Sequence, residues 1–302
     1  MTLTHRRAVW LMVVATLMWA TAGVVTRQLE HARSFEVTFW RAFFTVLSLL
    51  VILPTWQGRA VFSKIRHGDR SLWFSGVCWS VMFTAYMVAL TLTTVANVLV
   101  TMALGPLFTA LAARAFIGHR LAVRTWGAIV VAGLGIGWMY GSQLSGGGQW
   151  LGTLVALCVP IAAAGNWTVT QHAHAKGHDV DLVPAVLIGA ALCALYTLPL
   201  AWPLSANPHD LGLLAFLGLV QLAIPCVLSV MCARVLKAPE VSLLALLEVI
   251  FGIALAWLGA GEEPAPSVLA GGALVIGALV VNEWLGGRAS LKKKHCAMPS
   301  NR

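Results

Sequence analysis

Long apolar runs, separated by short polar connections, make up most of the chain. A helix needs about 20 residues to cross the hydrocarbon core of a membrane, and most of the runs have about this length. The ten predicted membrane-spanning helices are Ala8–Thr26, Glu36–Leu53, Leu72–Leu90, Ala96–Phe116, Thr125–Tyr140, Leu151–Gln171, Leu182–Leu200, Leu211–Leu236, Val241–Gly259 and Ser267–Trp284. No connection between them is long enough to hold a soluble domain. The pattern therefore predicts an all-α integral membrane protein.

The sequence pattern of the last two predicted helices also occurs in the first half of the chain. Residues 96–140 and 240–284 each contain two apolar helices joined by a short turn. In the second helix of each pair, Gly127 aligns with Gly271 and Gly133 with Gly277, an offset of 144 residues. Such self-similarity indicates an internal repeat. We expect a five-helix repeat at 8–141, a second at 150–285 and a basic tail at 286–302.

Composition and the distribution of basic residues support this membrane architecture. Charged residues make up only 10% of the chain, against about 25% in soluble proteins. If the N-terminus is cytoplasmic, 17 of the 20 Lys and Arg residues lie on the cytoplasmic side, with Arg27 and Arg33 outside and Arg41 within a helix. This split follows the positive-inside rule. An odd number of helices per repeat then gives the two repeats opposite orientations, as in many secondary transporters.

Other functional classes find little support in the sequence. The net charge of +9 does not predict nucleic-acid binding, because the basic residues are spread over several cytoplasmic segments. The six cysteines show no Cys-x-x-Cys spacing, which argues against a disulfide framework or a zinc site. The absence of HExxH, GxSxG and P-loop patterns argues against an enzyme, and we expect no cofactor. The expected partners are a small-molecule substrate, the lipid bilayer and a coupling proton.

Two charged residues lie within predicted membrane helices, where charge is costly and commonly functional. Glu248 lies near the bilayer centre, and is either a site for a proton or a substrate amine, or a carboxylate bonded to a neighbouring helix. Arg41 lies nearer the outer end of its helix. It either extends to the membrane surface, binds a substrate carboxylate or pairs with an acidic residue.

Several helices also carry polar faces or predicted breaks. In the fourth helix Asn97 and Thr101 share a face with Gly105, and Pro106 is expected to interrupt the hydrogen-bond ladder. Such a face either lines a pathway or allows close packing of helices. The remaining candidates are Ser80, Thr84 and Met87 with nearby Tyr86 on the third helix, and Gln221 with Pro225 on the eighth.

Two tryptophans lie inside helices instead of at membrane interfaces. Trp19 and Trp167, the latter beside Asn166, are therefore candidates for lining a cavity, since a buried indole N–H needs a partner. A loop with histidines 172, 174 and 178 suggests an alternative, a non-transporting sensor that binds metal. The irregular spacing and the lack of cysteine ligands argue against that reading.

These residues together resemble a known family. The repeat, the segments WATAGVVTR, FEVTFWRAFF and ANVLVTMALGPLF, and above all LLALLEVIFGIALAWLGAGEEP, are similar to EamA-type permeases of the drug/metabolite transporter superfamily. The resemblance covers nearly the whole chain. It implies a basket of ten helices, as a monomer or a homodimer, in the bacterial inner membrane with both termini cytoplasmic.

The resemblance also implies a function. Family members move amino acids or other small metabolites, often outward, through a cavity between the repeats, so we expect a metabolite exporter that works by alternating access. Pro106 matches the family's proline in helix four, and Gly261-Glu262 matches the Gly-Glu pair that closes helix nine. The chain departs from the family where Gly118-His119 replaces the first Gly-Glu pair and where Glu248-Val249 replaces a Glu-Pro pair.

Overall fold

The computed structural model describes residues 3–32, 34–58, 60–117, 123–141, 150–175, 183–233, 235–236 and 244–296, and this part of the chain is helical without any strand. In the first half the helices are α1 (His5–Thr26), α2 (Ser34–Gln57), α3 (Ala60–Arg66), α4 (Arg70–Leu92), α5 (Val95–Met102), α6 (Gly105–Ile117) and α7 (Val123–Gly141). In the second half they are α8 (Trp150–Ala175), α9 (Val183–Ala201), α10 (Pro208–Phe216), a π segment (Leu217–Ala223), α11 (Ile224–Ala233), α12 (Leu247–Ala260) and α13 (Pro266–Cys296).

Among the described residues, six helical stretches are long and apolar enough to cross a membrane. They are His5–Thr26, Phe35–Gln57, Arg70–Leu92, Val95–Phe116, Pro184–Ala201 and Pro208–Ser229. Four shorter apolar helices, Val123–Gly135, Trp150–Asn166, Leu247–Ala260 and Pro266–Asn282, occupy the positions of the other predicted spans. The all-α architecture is confirmed, while the number of ten transmembrane helices stays a prediction.

The two halves of the chain are interleaved. Helix α4 packs on α8 and α9, α2 packs on α9 and the π segment, and α1 packs on α11 and α12. Helices α7 and α13, which are counterparts in the repeat alignment, pack on each other. The largest apolar core lies among α4, α5, α7, α8, α12 and α13. Most of the interior is therefore an interface between the halves.

Contacts at the helix ends show the relative direction of the halves. Helix α2 begins where its counterpart α9 ends, since Glu36 accepts hydrogen bonds from Ser205 and Ala206. Helix α5 begins where α12 ends, since Glu262 accepts a hydrogen bond from Val95 N–H. Counterpart helices therefore run in opposite directions. We call this end of the bundle, formed by residues 27–32, 34–36, 90–95, 201–210 and 260–262, the capped end.

Prolines mark two interruptions in the helices. Helix α5 ends at Met102, and α6 begins at Gly105 with Pro106 in its first turn. Proline cannot donate to the carbonyl four residues earlier, which is that of Met102. In the second half, the ring of Pro225 would clash with the Gln221 carbonyl in a regular α-helix. The helix widens into the π segment just before this proline.

Candidate functional site

A cavity of about 140 Å³ lies between the two halves. Its polar lining comes from Arg41, Tyr86, Gln221 and Glu248. The rest of its wall is apolar or aromatic and consists of Trp19, Trp79, Met82, Phe83, Met102, Val159, Leu222 and Cys226. Both halves of the chain contribute side chains, so the cavity exists only in the assembled bundle.

The cavity lies at mid-depth in the bundle. Arg41 is seven residues from the start of α2 at the capped end, which corresponds to about 10 Å along the helix. Glu248 is twelve residues before Ala260, the last residue of α12 at the same end, which corresponds to about 18 Å. Both charges therefore lie inside the bundle, away from its capped end.

Arg41 is almost fully buried, with 3% exposure. Its Nε and Nη2 groups donate to Gln221 Oε1 at 3.1 and 2.9 Å. Its guanidinium carbon lies 5.8 Å from the ring centre of Phe83 and 5.7 Å from that of Tyr86. These distances fit cation–π contacts. Because a glutamine and two neutral rings carry no charge, the charge of Arg41 is stabilised by its neighbours without being neutralised.

Glu248 provides the negative charge of the cavity. It lies in the first turn of α12, and its side chain is partly buried and lines the cavity. Within the described part of the chain, no hydrogen bond or ion pair within 4 Å engages its carboxylate. Arg41 and Glu248 therefore face one cavity without forming a direct ion pair.

The charged groups at the capped end are arranged differently. Asp210 is fully buried, and its carboxylate accepts hydrogen bonds from the backbone N–H groups of Glu30, His31 and Ala32, each at 3.0 Å. Glu36 is also buried, and it accepts from the backbone N–H of Ser205 and of Ala206, both at 2.7 Å. Each carboxylate thus binds backbone from the other half of the chain.

Glu262 completes the capped end together with Arg27. Gly261 ends α12 with a φ of 64°, a conformation that glycine adopts without strain, and so turns the chain to place Glu262 beside α5. Glu262 accepts from Arg27 Nε at 2.7 Å and from Val95 N–H at 2.6 Å. Arg27 also donates to the carbonyls of Leu90 and Thr93. The ends of α1, α4 and α12 are therefore tied to the start of α5.

Comparison with known proteins identifies the family. The model of the EamA-like transporter family matches the chain twice, over residues 6–141 and 150–283. The chain belongs to the EamA-like transporter family. The predicted resemblance to EamA-type permeases is thereby confirmed, and the two matches agree with the two-repeat architecture.

A solved structure also resembles this chain. It is described only as "Crystal structure of protein" and is 18% identical, covering 94% of this chain and 99% of its own with a TM-score of 0.59. At this identity the similarity shows a shared fold. No curated protein matches the chain significantly.

The cavity brings together five of the residues singled out from the sequence. They are Trp19, Arg41, Tyr86, Gln221 and Glu248. The direct Arg41–Gln221 contact joins residues that are 180 positions apart. No periodicity within either helix could have predicted it, since it depends on how α2 and the π segment cross.

Other predicted residues lie beside the cavity instead of lining it. Asn97 and Thr101 are fully buried, and Thr101 donates to the Asn97 carbonyl at 2.7 Å. Asn166 on α8 accepts a hydrogen bond from Ser75 on α4 at 2.6 Å. Their contacts join turns of one helix or neighbouring helices, and any role in substrate passage stays a prediction.

Two predictions fall on parts that the structure does not describe. The side chain of Trp167 lies outside the described residues, although α8 itself includes this position. The same holds for the histidine side chains at 172 and 174 and for the whole of residue 178. The metal-binding alternative is therefore not tested.

The cavity also contains residues that the sequence did not indicate. Trp79 and Phe83 line it together with Tyr86, at helical positions i, i+4 and i+7 of α4. Thr84 lies on the adjacent face of α4, where its hydroxyl forms a hydrogen bond with the hydroxyl of Tyr196 on α9. The aromatic spacing was visible in the sequence, but Ser80 and Thr84 drew attention to the adjacent face, and the spacing alone gives no sign of which face meets a cavity.

Proposed function

We propose that this member of the EamA-like transporter family is a secondary transporter of small metabolites that carry both a carboxylate and an amine, such as amino acids. One observation supports this most directly: Arg41 and Glu248 come from different halves and face one mid-depth cavity without pairing. Arg41 is buried and Glu248 is partly buried, and charges inside a protein that are not paired with a counter-charge are costly. A zwitterionic substrate compensates both.

The chemistry of the cavity suggests how such a substrate binds. The Arg41 guanidinium offers N–H donors to a carboxylate, and a charge-assisted hydrogen bond of this kind is about twice as strong as a neutral one. The Glu248 carboxylate accepts from the ammonium group. The side chain of the substrate then lies against the aromatic and methionine wall formed by Trp79, Phe83 and Met82.

The size of the cavity suits a small molecule. An engineered cavity of about 150 Å³ in another protein holds benzene, and the cavity here measures about 140 Å³. A modest movement of the helices admits an amino acid, whereas a peptide or a nucleotide needs a much larger opening.

The antiparallel halves support alternating access. All ten apolar helices cross the bacterial inner membrane in this proposal, and the positive-inside rule puts the capped end in the periplasm and both termini in the cytoplasm. The bonds of Glu36, Asp210 and Glu262 then close the periplasmic side. Any alternating-access transporter passes through a state closed on this side, and for an exporter it is the state that takes up cargo from the cytoplasm. We propose export from the resemblance to the family, with Glu248 as the group that exchanges a proton for the cargo.

Counterflow in proteoliposomes tests the proposal. A panel of labelled amino acids, organic acids and nucleosides is offered to the parent protein and to Glu248→Gln. We expect the parent to accumulate amino acids, and the variant to accumulate them poorly while inserting normally. Accumulation of organic acids or nucleosides alone, or of none of the panel by correctly folded protein, would contradict the proposal.

A further inference from the structure

We propose that Gln221 is a positioning residue, which holds Arg41 at the cavity wall while leaving its charge available to the substrate. This inference rests on the proposed function, because it assigns the carboxylate end of the substrate to Arg41. It goes further by naming the residue that makes Arg41 a preformed anion site.

The contact between the two side chains is well defined. Gln221 is 2% exposed, and its Oε1 accepts both the Nε and the Nη2 bonds of Arg41. Both bonds lie on one edge of the planar guanidinium, so they fix its direction as well as its position. The Nη1 group makes no hydrogen bond with any residue that the structure describes, and is left for a ligand.

The amide of Gln221 is itself held in one orientation. Its Nε2 donates to the backbone carbonyl of Trp19 at 3.2 Å. If the amide were turned over, its NH₂ group would face the donors of Arg41 and its oxygen would face a carbonyl. Because both contacts would then be repulsive, the amide oxygen stays on Arg41.

The chain around Gln221 sets its height opposite Arg41. Gly218, one turn before Gln221, touches α2 so closely that an added Cβ would lie 2.5 Å from Phe44 Cβ and 2.9 Å from the Thr45 nitrogen. Thr45, one turn after Arg41, donates to the Gly218 carbonyl at 3.1 Å. This backbone contact aligns the two helices, so that Gln221 and Arg41 meet.

The absence of charge on Gln221 is central to the proposal. A glutamate has nearly the same shape and would also accept both Arg41 bonds, but it would neutralise the guanidinium. A closed ion pair leaves little attraction for a substrate carboxylate, and breaking it inside the protein is costly. Glutamine provides the geometry of an ion pair without its charge, which is what an anion-binding site requires.

Two substitutions separate positioning from a purely structural role. Gln221→Glu keeps the acceptor for Arg41 and adds charge, whereas Gln221→Leu removes the acceptor and adds none. Both variants lose the bond to the Trp19 carbonyl, so this loss does not distinguish them. The probes are glycine, L-leucine, L-methionine and L-phenylalanine with their amides, which lack the carboxylate. Affinities are measured by competition in counterflow and by thermal stabilisation of the purified protein.

The readout is the ratio of acid affinity to amide affinity. We expect Gln221→Glu to lower it at least about tenfold, in line with the loss of one charge-assisted bond, and Gln221→Leu to lower it less. A structural role predicts equal losses for acids and amides, with Gln221→Leu the more damaging change, and that result would overturn the proposal. If Gln221→Glu does not insert into the membrane, the ratio of acid affinity to amide affinity in Gln221→Leu is the test. A ratio equal to that of the parent would overturn the proposal.

The two measurements separate this inference from the proposed function. If amino acids stabilise the parent but are not transported, and Gln221→Glu abolishes the stabilisation, positioning stands and transport fails. If the parent transports amino acids and the ratio is unchanged in both variants, transport stands and positioning fails. A parent that is neither stabilised by these amino acids nor transports them contradicts both.

Discussion

The capped end and the cavity differ in how their charged side chains are bonded. At the capped end, Asp210, Glu36 and Glu262 each accept at least two hydrogen bonds from the other half of the chain. In the cavity, Arg41 is held by a neutral amide, and Glu248 has no hydrogen-bond partner among the described residues.

The difference separates structural charge from functional charge. A carboxylate that binds several backbone N–H groups stabilises one arrangement of helices, because those groups would otherwise be left without partners. A charge that is oriented but not bonded to a counter-charge gains most when a ligand of opposite charge enters. Burial alone does not distinguish the two, since Asp210 and Arg41 are both buried.

The largest effect on stability is expected at the capped end. Asp210→Ala leaves three backbone N–H groups without their acceptor, and should destabilise the protein by about 3 kcal/mol or more. Thermal unfolding in detergent measures this, with Glu263→Ala as the control because Glu263 is an exposed carboxylate near the same end. Equal thermal unfolding midpoints for Asp210→Ala and Glu263→Ala would show that Asp210 does not hold the two halves of the chain together.

Arg41→Ala should have the largest effect on binding. Removing the charge from a buried site should weaken binding of L-leucine about 100-fold, with a much smaller loss for leucinamide. Competition in counterflow measures both affinities. Arg41→Lys serves as the matched control, because it keeps the charge but loses the planar fork, and should lie between the parent and Arg41→Ala. Equal losses for acid and amide would instead indicate a structural role.

Glu248→Gln should have a smaller effect on binding, about tenfold for L-leucine. The affinity for 4-methylpentanoate, which is leucine without its amino group, should hardly change. The rate of leucine transport by Glu248→Gln should no longer depend on a proton gradient, whereas transport by the control variant Glu263→Gln should still depend on it. A variant with unchanged gradient dependence would exclude Glu248 as the proton site.

The smallest effect is expected for Glu262→Gln. The amide can still accept from Val95, and the lost ion pair with Arg27 is partly exposed, so the loss should be about 1 kcal/mol. Because salt screens exposed pairs, the difference in unfolding midpoint from the parent should shrink in 1 M NaCl. The lowering of the unfolding midpoint by Asp210→Ala should remain the same in 1 M NaCl. If the lowering of the unfolding midpoint by Glu262→Gln did not depend on salt, Glu262 would act as a buried carboxylate, as Asp210 and Glu36 do.

Much of the fold could be predicted because its signals are local or periodic. Apolar runs of membrane length marked the helices, and the alignment of Gly127 with Gly271 marked the repeat. The odd number of helices per repeat predicted opposite orientations. The bond between Glu36 at the start of α2 and Ser205 just after the end of α9 supports this for one pair of counterparts. Prolines 106 and 225 each lie directly after an interruption of regular helix.

Candidate residues of the site could be named, but their arrangement could not. The cost of charge in a membrane was enough to single out Arg41 and Glu248. The roles of Asp210 and Glu36 were not visible, because both lie at helix ends where a carboxylate is ordinary. Trp79 and Phe83 were missed because the polar residues Ser80 and Thr84 drew attention to the adjacent face of the same helix.

The sequence by itself determined the membrane setting, the positions of the helices, the repeat and the family, because hydropathy and self-similarity are properties of the chain. Only the tertiary structure decided which polar groups meet. The rotation and crossing of each helix depend on contacts between residues up to 235 positions apart, such as Arg27 and Glu262. Those contacts give Asp210 three backbone partners, and leave Arg41 and Glu248 facing one cavity without pairing.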